Sequence, residues 1–135
     1  LRTAGPPGKP RLSGHIGSPP IMGLPGNPVA ARVCSTVFVA PATQRMMGMP
    51  VADTLPTEPA ILGADVGPND QRQDFLRATL TRDAATPDAL PVATPFAAQD
   101  SAQLRILAQS QALIIRPVHA PAAPAGSPCQ ILRLA

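Results

Sequence analysis

The sequence predicts an α+β chain in two parts, a strand–turn–helix piece over residues 1–48 and a small all-β domain over residues 49–135. Three observations carry that division. Residues 23–33, GLPGNPVAARV, pass from a Gly/Pro turn straight into helix-forming residues. After Gly48 the apolar pattern changes from helical spacing to alternation, as in DFLRATLTRD at 74–83. From there onward, short apolar runs recur between Pro/Gly turns, the pattern of a small barrel or sandwich.

Each element has a local reason. Residues 1–20, LRTAGPPGKPRLSGHIGSPP, read as loop with one short extended piece. IMGL at 21–24 reads as the end of a buried strand. Asn27 is a good N-cap, and Pro28 falls at the first helical position, where its missing N–H costs nothing. Val29, Val33 and Val37 then recur at helical spacing, with Cys34 and Phe38 beside them. Pro41 should kink or loosen this helix, and Gly48 offers a left-handed stop.

In the second part, Leu76, Ala78 and Leu80 share one face of a strand, opposite Phe75, Arg77, Thr79 and Thr81. A turn at 84–88 leads into ALPVATPF, making a hairpin in which Pro91 and Pro95 restrict the second strand to an edge or an irregular pairing. DSAQLRILAQ breaks the alternation and suits a short helix capped by Asp100 or Ser101. ALIIRPV and CQILRL read as two more strands, joined by HAPAAPAGSP. No internal repeat is visible.

Composition sets the outer limits. The chain has 135 residues, 44% apolar, with 19 prolines, 3 phenylalanines and neither tryptophan nor tyrosine, so aliphatic side chains must fill the core. It does not begin with methionine and is expected to be a piece of a longer protein. The net charge of +3 comes from scattered arginines and a single lysine, Lys9. Without basic clusters or stacking aromatics, nucleic acid is not an expected partner. Arginine suits bidentate holding of small oxyanions, which makes a phosphate-like ligand the better use of that charge. Cys34 and Cys129 form neither a metal-ligand spacing nor a disulfide framework, and Cys34 is expected as a buried thiol. The absence of a signal peptide and of an apolar run of membrane length points to a cytoplasmic chain without a membrane partner.

Four places are candidates for anion chemistry, and each has a plainer reading beside it. A strand feeding a glycine turn into a helix leaves backbone N–H groups at the helix start to face a ligand, and Gly26 would let it approach; a capped structural helix uses the same residues. Lys9, in the rigid loop PPGKP, could hold its ammonium near an oxyanion, or simply be solvated. Arg77, mid-strand, is either a solvent-facing residue or a planar clamp. Ser101 is either an N-cap or a hydroxyl aimed at an anion. No hydrolase triad, P-loop or dinucleotide fingerprint is present, and His15 and His119 fall in loops.

Taken together, GLPGNPV at 23–29, PGKP at 7–10, DFLRATL at 74–80, QDS at 99–101, ALIIRPV and AGSPCQI resemble, in order and spacing, the C-terminal part of the molybdopterin molybdenumtransferase family. These are the MoeA-type enzymes that include the E domain of gephyrin. The resemblance implies that residues 1–48 are the end of an α/β molybdopterin-binding domain and residues 49–135 a β-barrel domain. It implies insertion of molybdate into adenylylated molybdopterin, with magnesium, in molybdenum cofactor biosynthesis. It also implies a homodimer whose site lies between the α/β domain of one subunit and the barrel of the other, with the molybdopterin adenylyltransferase as a further partner. Lys9, Pro10, Arg77 and Ser101 match the molybdate-holding positions, with Lys9, Arg77 and Ser101 counted as catalytic. Gly23, Gly26 and Asn27 border the substrate pocket. The magnesium ligands of the family lie N-terminal to this segment, so the segment alone is expected to be inactive.

Three positions depart from the family pattern. Pro6 stands where a basic or polar residue is usual, Ala30 where serine is common, and Asp100 where glycine is common. Arg2 is placed to compensate for part of that loss. The departures keep a second reading open, a non-catalytic scaffold or binding module on the same fold.

Overall fold

A computed structural model describes residues 12–24, 26, 28–50, 55–86, 88–97 and 108–134. The chain separates into two compact units; of the described residues, 12–50 belong to one and 56–134 to the other.

In the first unit, β1 (Leu12–His15) and β2 (Pro20–Gly23) form an antiparallel hairpin, with His15 opposite Pro20 and Leu12 opposite Gly23. Gly17 closes the connection at φ 66°, a conformation that costs glycine little. Residues 12–15 are therefore strand, and His15 ends a strand where a loop was expected. The expectation of a buried strand at IMGL also fails, because Ile21, Met22 and Leu24 are exposed.

Helix α1 (Pro28–Cys34) begins at its proline, as the missing N–H allows. It continues through a π-helical turn at Ser35–Val39 into α2 (Ala40–Met46). The wide turn has a cause. Pro41 has no N–H, and its ring crowds the carbonyl four residues back. The Ala40 N–H reaches Ser35 O instead, the five-residue spacing of a π-turn. The loosening expected at Pro41 thus takes the form of a π-bulge. Gly48, at φ 75°, ends the helix: its N–H donates to Arg45 O at 3.1 Å and the Met49 N–H to Gln44 O at 3.0 Å. These two bonds make a Schellman cap, as the glycine foretold. Val37 is buried, whereas Cys34 is only half-buried, a correction to the expected buried thiol.

The second unit is a closed five-stranded barrel. It uses β3 (Thr57–Leu62), β4 (Asp74–Thr81), β5 (Val92–Pro95), β6 (Ala112–Arg116) and β7 (Pro128–Arg133) in the order β3-β5-β4-β6-β7. All neighbours are antiparallel except β3 and β5. Ala60, Leu62, Ala78, Ala93, Ala112, Ile114 and Ile131 form its core, with Leu76 and Leu80 packed against them. Small alanines on several strands let so narrow a barrel close around a few branched side chains.

The β4–β5 hairpin matches expectation, with Ala78 opposite Pro95 and Thr81 opposite Val92. Strand β5 is not at an edge, however. It also meets β3 through Ile61–Val92 and Leu62–Ala93. Its prolines are tolerated because the parallel contact asks Pro91 only for its carbonyl, which accepts from the Ile61 N–H at 2.9 Å. Strand β3 carries no expectation from the sequence. Pro59 hides it, and is accommodated because β3 at that point pairs only with β7. Of the expected short helix, Ala108 and Gln109 are helical and the rest lies outside the described residues.

Candidate functional site

Arg77 sits in the middle of β4, on the face opposite the barrel core. Its cross-strand partner is Leu113 of β6, which in turn faces Leu132 of β7. These three side chains are all buried, at 3%, 0% and 2% exposure. The expectation of a solvent-facing strand arginine is therefore corrected. Alternation placed the residue on the outer face rightly, but that face is covered here. The Arg77 carbonyl accepts from the Phe96 N–H at 3.1 Å, so the hairpin fixes its backbone. Its Nη1 atom is buried and makes no hydrogen bond to a described residue, while the side chain is engaged elsewhere.

This environment sets the chemistry open to the residue. An arginine keeps its charge in proteins, and a buried charge is costly unless a counter-charge or hydrogen-bond acceptor meets it. A guanidinium held rigidly on a strand loses little side-chain entropy on meeting an oxyanion, and can present two parallel donors to it.

The other expected site residues divide between two groups. Lys9, Pro10, Asn27 and Ser101 lie outside the described residues. Gly23 ends β2 half-buried, and Gly26 is exposed in the following turn, where an added Cβ would meet nothing within 4 Å. Space beside the backbone at Gly26 is thus open. The structure brings none of these residues to a measured distance from Arg77.

Burial pushes the Cys129 thiol up, partly offset by the Arg116 guanidinium, so it stays protonated at neutral pH. Cys34 and Cys129 are both free. His119 occupies a turn at φ 57°. Among the described residues, no group of three or more His, Cys, Asp or Glu could hold a metal ion. Nor is any described helix long and apolar enough to cross a membrane.

The barrel also carries polar features that sequence reading passed over. Arg133 grips Glu58 across β7 and β3 with two hydrogen bonds, Nε to Oε1 at 3.0 Å and Nη2 to Oε2 at 2.8 Å. That contact, followed by the nearby charge of Arg82, holds the Glu58 carboxyl below its ordinary value. Nothing in the spacing of Glu58, Arg82 and Arg133 signals this cluster, because only barrel closure joins them.

Known proteins share this architecture. The sequence pattern of the MoeA C-terminal region (domain IV) matches residues 59–134. Molybdopterin molybdenumtransferase 2 of Mycobacterium tuberculosis is 31% identical over 131 residues, covering 97% of this chain and 31% of the relative, in both of two strains. The chain thus spans about a third of the length of those curated relatives. Among solved structures, a molybdopterin biosynthesis MoeA protein from Pyrococcus horikosii superposes with TM-score 0.72 at 23% identity, over 95% of this chain and 29% of that one. A molybdenum cofactor biosynthesis protein from Pyrococcus furiosus superposes with TM-score 0.60 at 24% identity, over 78% and 35%. At these identities the structural likeness speaks to the fold.

Proposed function

Because the chain belongs to the MoeA C-terminal region (domain IV) family, we propose that it is the C-terminal portion of a molybdopterin molybdenumtransferase. The full-length protein inserts molybdate into adenylylated molybdopterin during molybdenum cofactor biosynthesis, releasing AMP. Residues 1–48 complete its molybdopterin-binding domain, and residues 49–135 form its C-terminal barrel domain.

The observation that carries this reading is Arg77, a guanidinium at 3% exposure on a strand of the family-matched barrel. Molybdate is a tetrahedral dianion. Lys9 and Pro10 of one protomer and Arg77 and Ser101 of its partner hold it, in a homodimer. Gly23, Gly26 and Asn27 line the approach of the pterin substrate. These groups act by positioning and charge neutralisation, with donors fixed before the substrate arrives. No side-chain nucleophile takes part. Magnesium would be held by acidic residues of the full-length protein N-terminal to this segment and would supply further charge neutralisation. The molybdopterin adenylyltransferase delivers the substrate, and the reaction takes place in the cytoplasm. The 135-residue segment alone is inactive.

The test is molybdate-dependent AMP release from adenylylated molybdopterin by the full-length protein. Losing one preorganised oxyanion donor costs about 100-fold or more in turnover, and Arg77→Ala should fall by that order. Activity untouched by the substitution removes Arg77 from the site. An inactive wild type, under conditions where another family member works, supports the scaffold reading instead. Pro6, Ala30 and Asp100 are the residues that favour that second reading.

A further inference from the structure

The outer face of the β4–β5 hairpin sets an aromatic residue beside Arg77. The Phe96 N–H donates to Arg77 O at 3.1 Å, one step beyond the Ala78–Pro95 pair, so the ladder continues through Arg77 and Phe96. Directly opposite residues of an antiparallel ladder project to the same side, and a hydrogen-bonded pair stands about 5.5 Å apart at Cα. Ala78 belongs to the core, so its neighbour Arg77, and Phe96 with it, leave the barrel on the outer face.

The other flank is tighter. With the Arg77 carbonyl turned toward β5, its pairing with Leu113 of β6 is the kind without mutual hydrogen bonds, at about 4.5 Å, where side chains lie closest. Leu113 is fully buried and Phe96 half-buried. The Arg77 side chain thus rises between an aromatic and a branched aliphatic neighbour, with water almost excluded. Phe75, two residues earlier on β4, shares the face. The chain has three phenylalanines and neither tryptophan nor tyrosine, so two on this one face do not follow from an abundance of aromatics.

A planar guanidinium stacks on an aromatic ring, and the attraction grows where water is excluded. Stacking occupies the flat face of the group and leaves its in-plane donors directed outward, as a bidentate hold on an oxyanion requires.

We propose that Phe96 is a positioning residue for Arg77: its ring covers one face of the guanidinium and fixes the plane in which the donors point. Its effect on binding rests on Arg77 holding molybdate, as proposed above; its geometry does not.

Two measurements keep these apart. In the 135-residue chain, NMR should show NOEs from the Phe96 ring protons to the Arg77 side chain, and an Arg77 Nε–Hε signal moved upfield by the ring. Arg77→Lys assigns that signal by removing it. Phe96→Leu should abolish the upfield displacement, and Phe96→Tyr should keep it. In the full-length protein, equilibrium dialysis should show molybdate affinity about fivefold lower for Phe96→Leu and within about twofold of wild type for Phe96→Tyr, with the unfolding transition retained in both. Packing alone would leave the affinity of folded Phe96→Leu unchanged, and that result would overturn the proposal. So would a wild type without those NOEs, which decides the matter if Phe96→Leu does not fold. If the wild type shows the NOEs and the displaced signal yet binds no molybdate, the reading of Arg77 as an oxyanion holder falls and the placement of Phe96 stands.

Discussion

The barrel and the strand–turn–helix piece obey the same physics and reach opposite results. The barrel closes every strand against two neighbours and buries Leu62, Leu113, Ile114 and Ile131 almost completely. In residues 12–50, Val37 is the one buried hydrophobic residue recorded among those described, while Ile16, Ile21, Met22, Leu24, Met46, Met47 and Met49 are exposed. Secondary structure in that piece is nonetheless well formed, with a two-stranded hairpin and a capped helix. Local signals therefore suffice to specify elements, but burial alone makes an element independently stable.

The sharpest way to break this comparison is to separate the regions. A chain of residues 55–135 should unfold cooperatively, whereas residues 1–55 alone should melt without a sigmoidal transition; circular dichroism on heating distinguishes them. A cooperative melt of the shorter piece would refute the contrast.

Single substitutions sharpen it further. Ile114→Ala, at a site with 0% exposure, should cost about 2–5 kcal/mol. Met46→Ala, at 68% exposure, should stay within about 0.5 kcal/mol. Denaturant titration of both variants measures the difference directly.

Gly63 offers an intermediate effect. A Cβ added there would run into the Thr94 hydroxyl and stand 3.0 Å from Val92 Cγ1, at the point where the Gly63 N–H donates to Ala93 O at 2.8 Å. Gly63→Ala should destabilise the barrel by about 1–3 kcal/mol. Adding Thr94→Ala should recover part of that loss, giving a non-additive double-mutant cycle.

The smallest effect concerns the Glu58–Arg133 pair, which is exposed on both sides. Its carboxyl is depressed in the folded state, first by the Arg133 hydrogen bond and then by nearby charge. The pair's contribution is thus present above the unfolded glutamate value and is lost as pH falls through the folded one. The melting temperature should drop slightly across that acidic window, less so at high salt, and Glu58→Gln should remove that component.

How much of this was legible follows the same divide between local and non-local causes. Gly48 announced its helix end, Pro28 its helix start, and Pro41 its disturbance, because each acts through backbone within a few residues. The alternation of DFLRATLT gave both the strand and the face of Arg77. Strand β3 stayed hidden, since Pro59 is allowed there only by the pairing pattern of a closed barrel. The burial of Arg77 depends on Leu113 and Leu132 arriving at its register from distant sequence. One signal was available: ALII at 112–115 is continuously apolar, the mark of a strand covered on both faces. Glu58 and Arg133 gave no warning at all, because neither belongs to a motif.

The central claim is that Arg77 serves an oxyanion rather than only the packing of the barrel. Equilibrium dialysis of molybdate against the full-length protein, wild type and Arg77→Lys, tests it most directly. Lysine keeps the charge but loses the planar fork, so molybdate affinity should fall about tenfold while the unfolding transition is retained. A folded Arg77→Lys protein that binds molybdate as tightly as wild type would contradict the account.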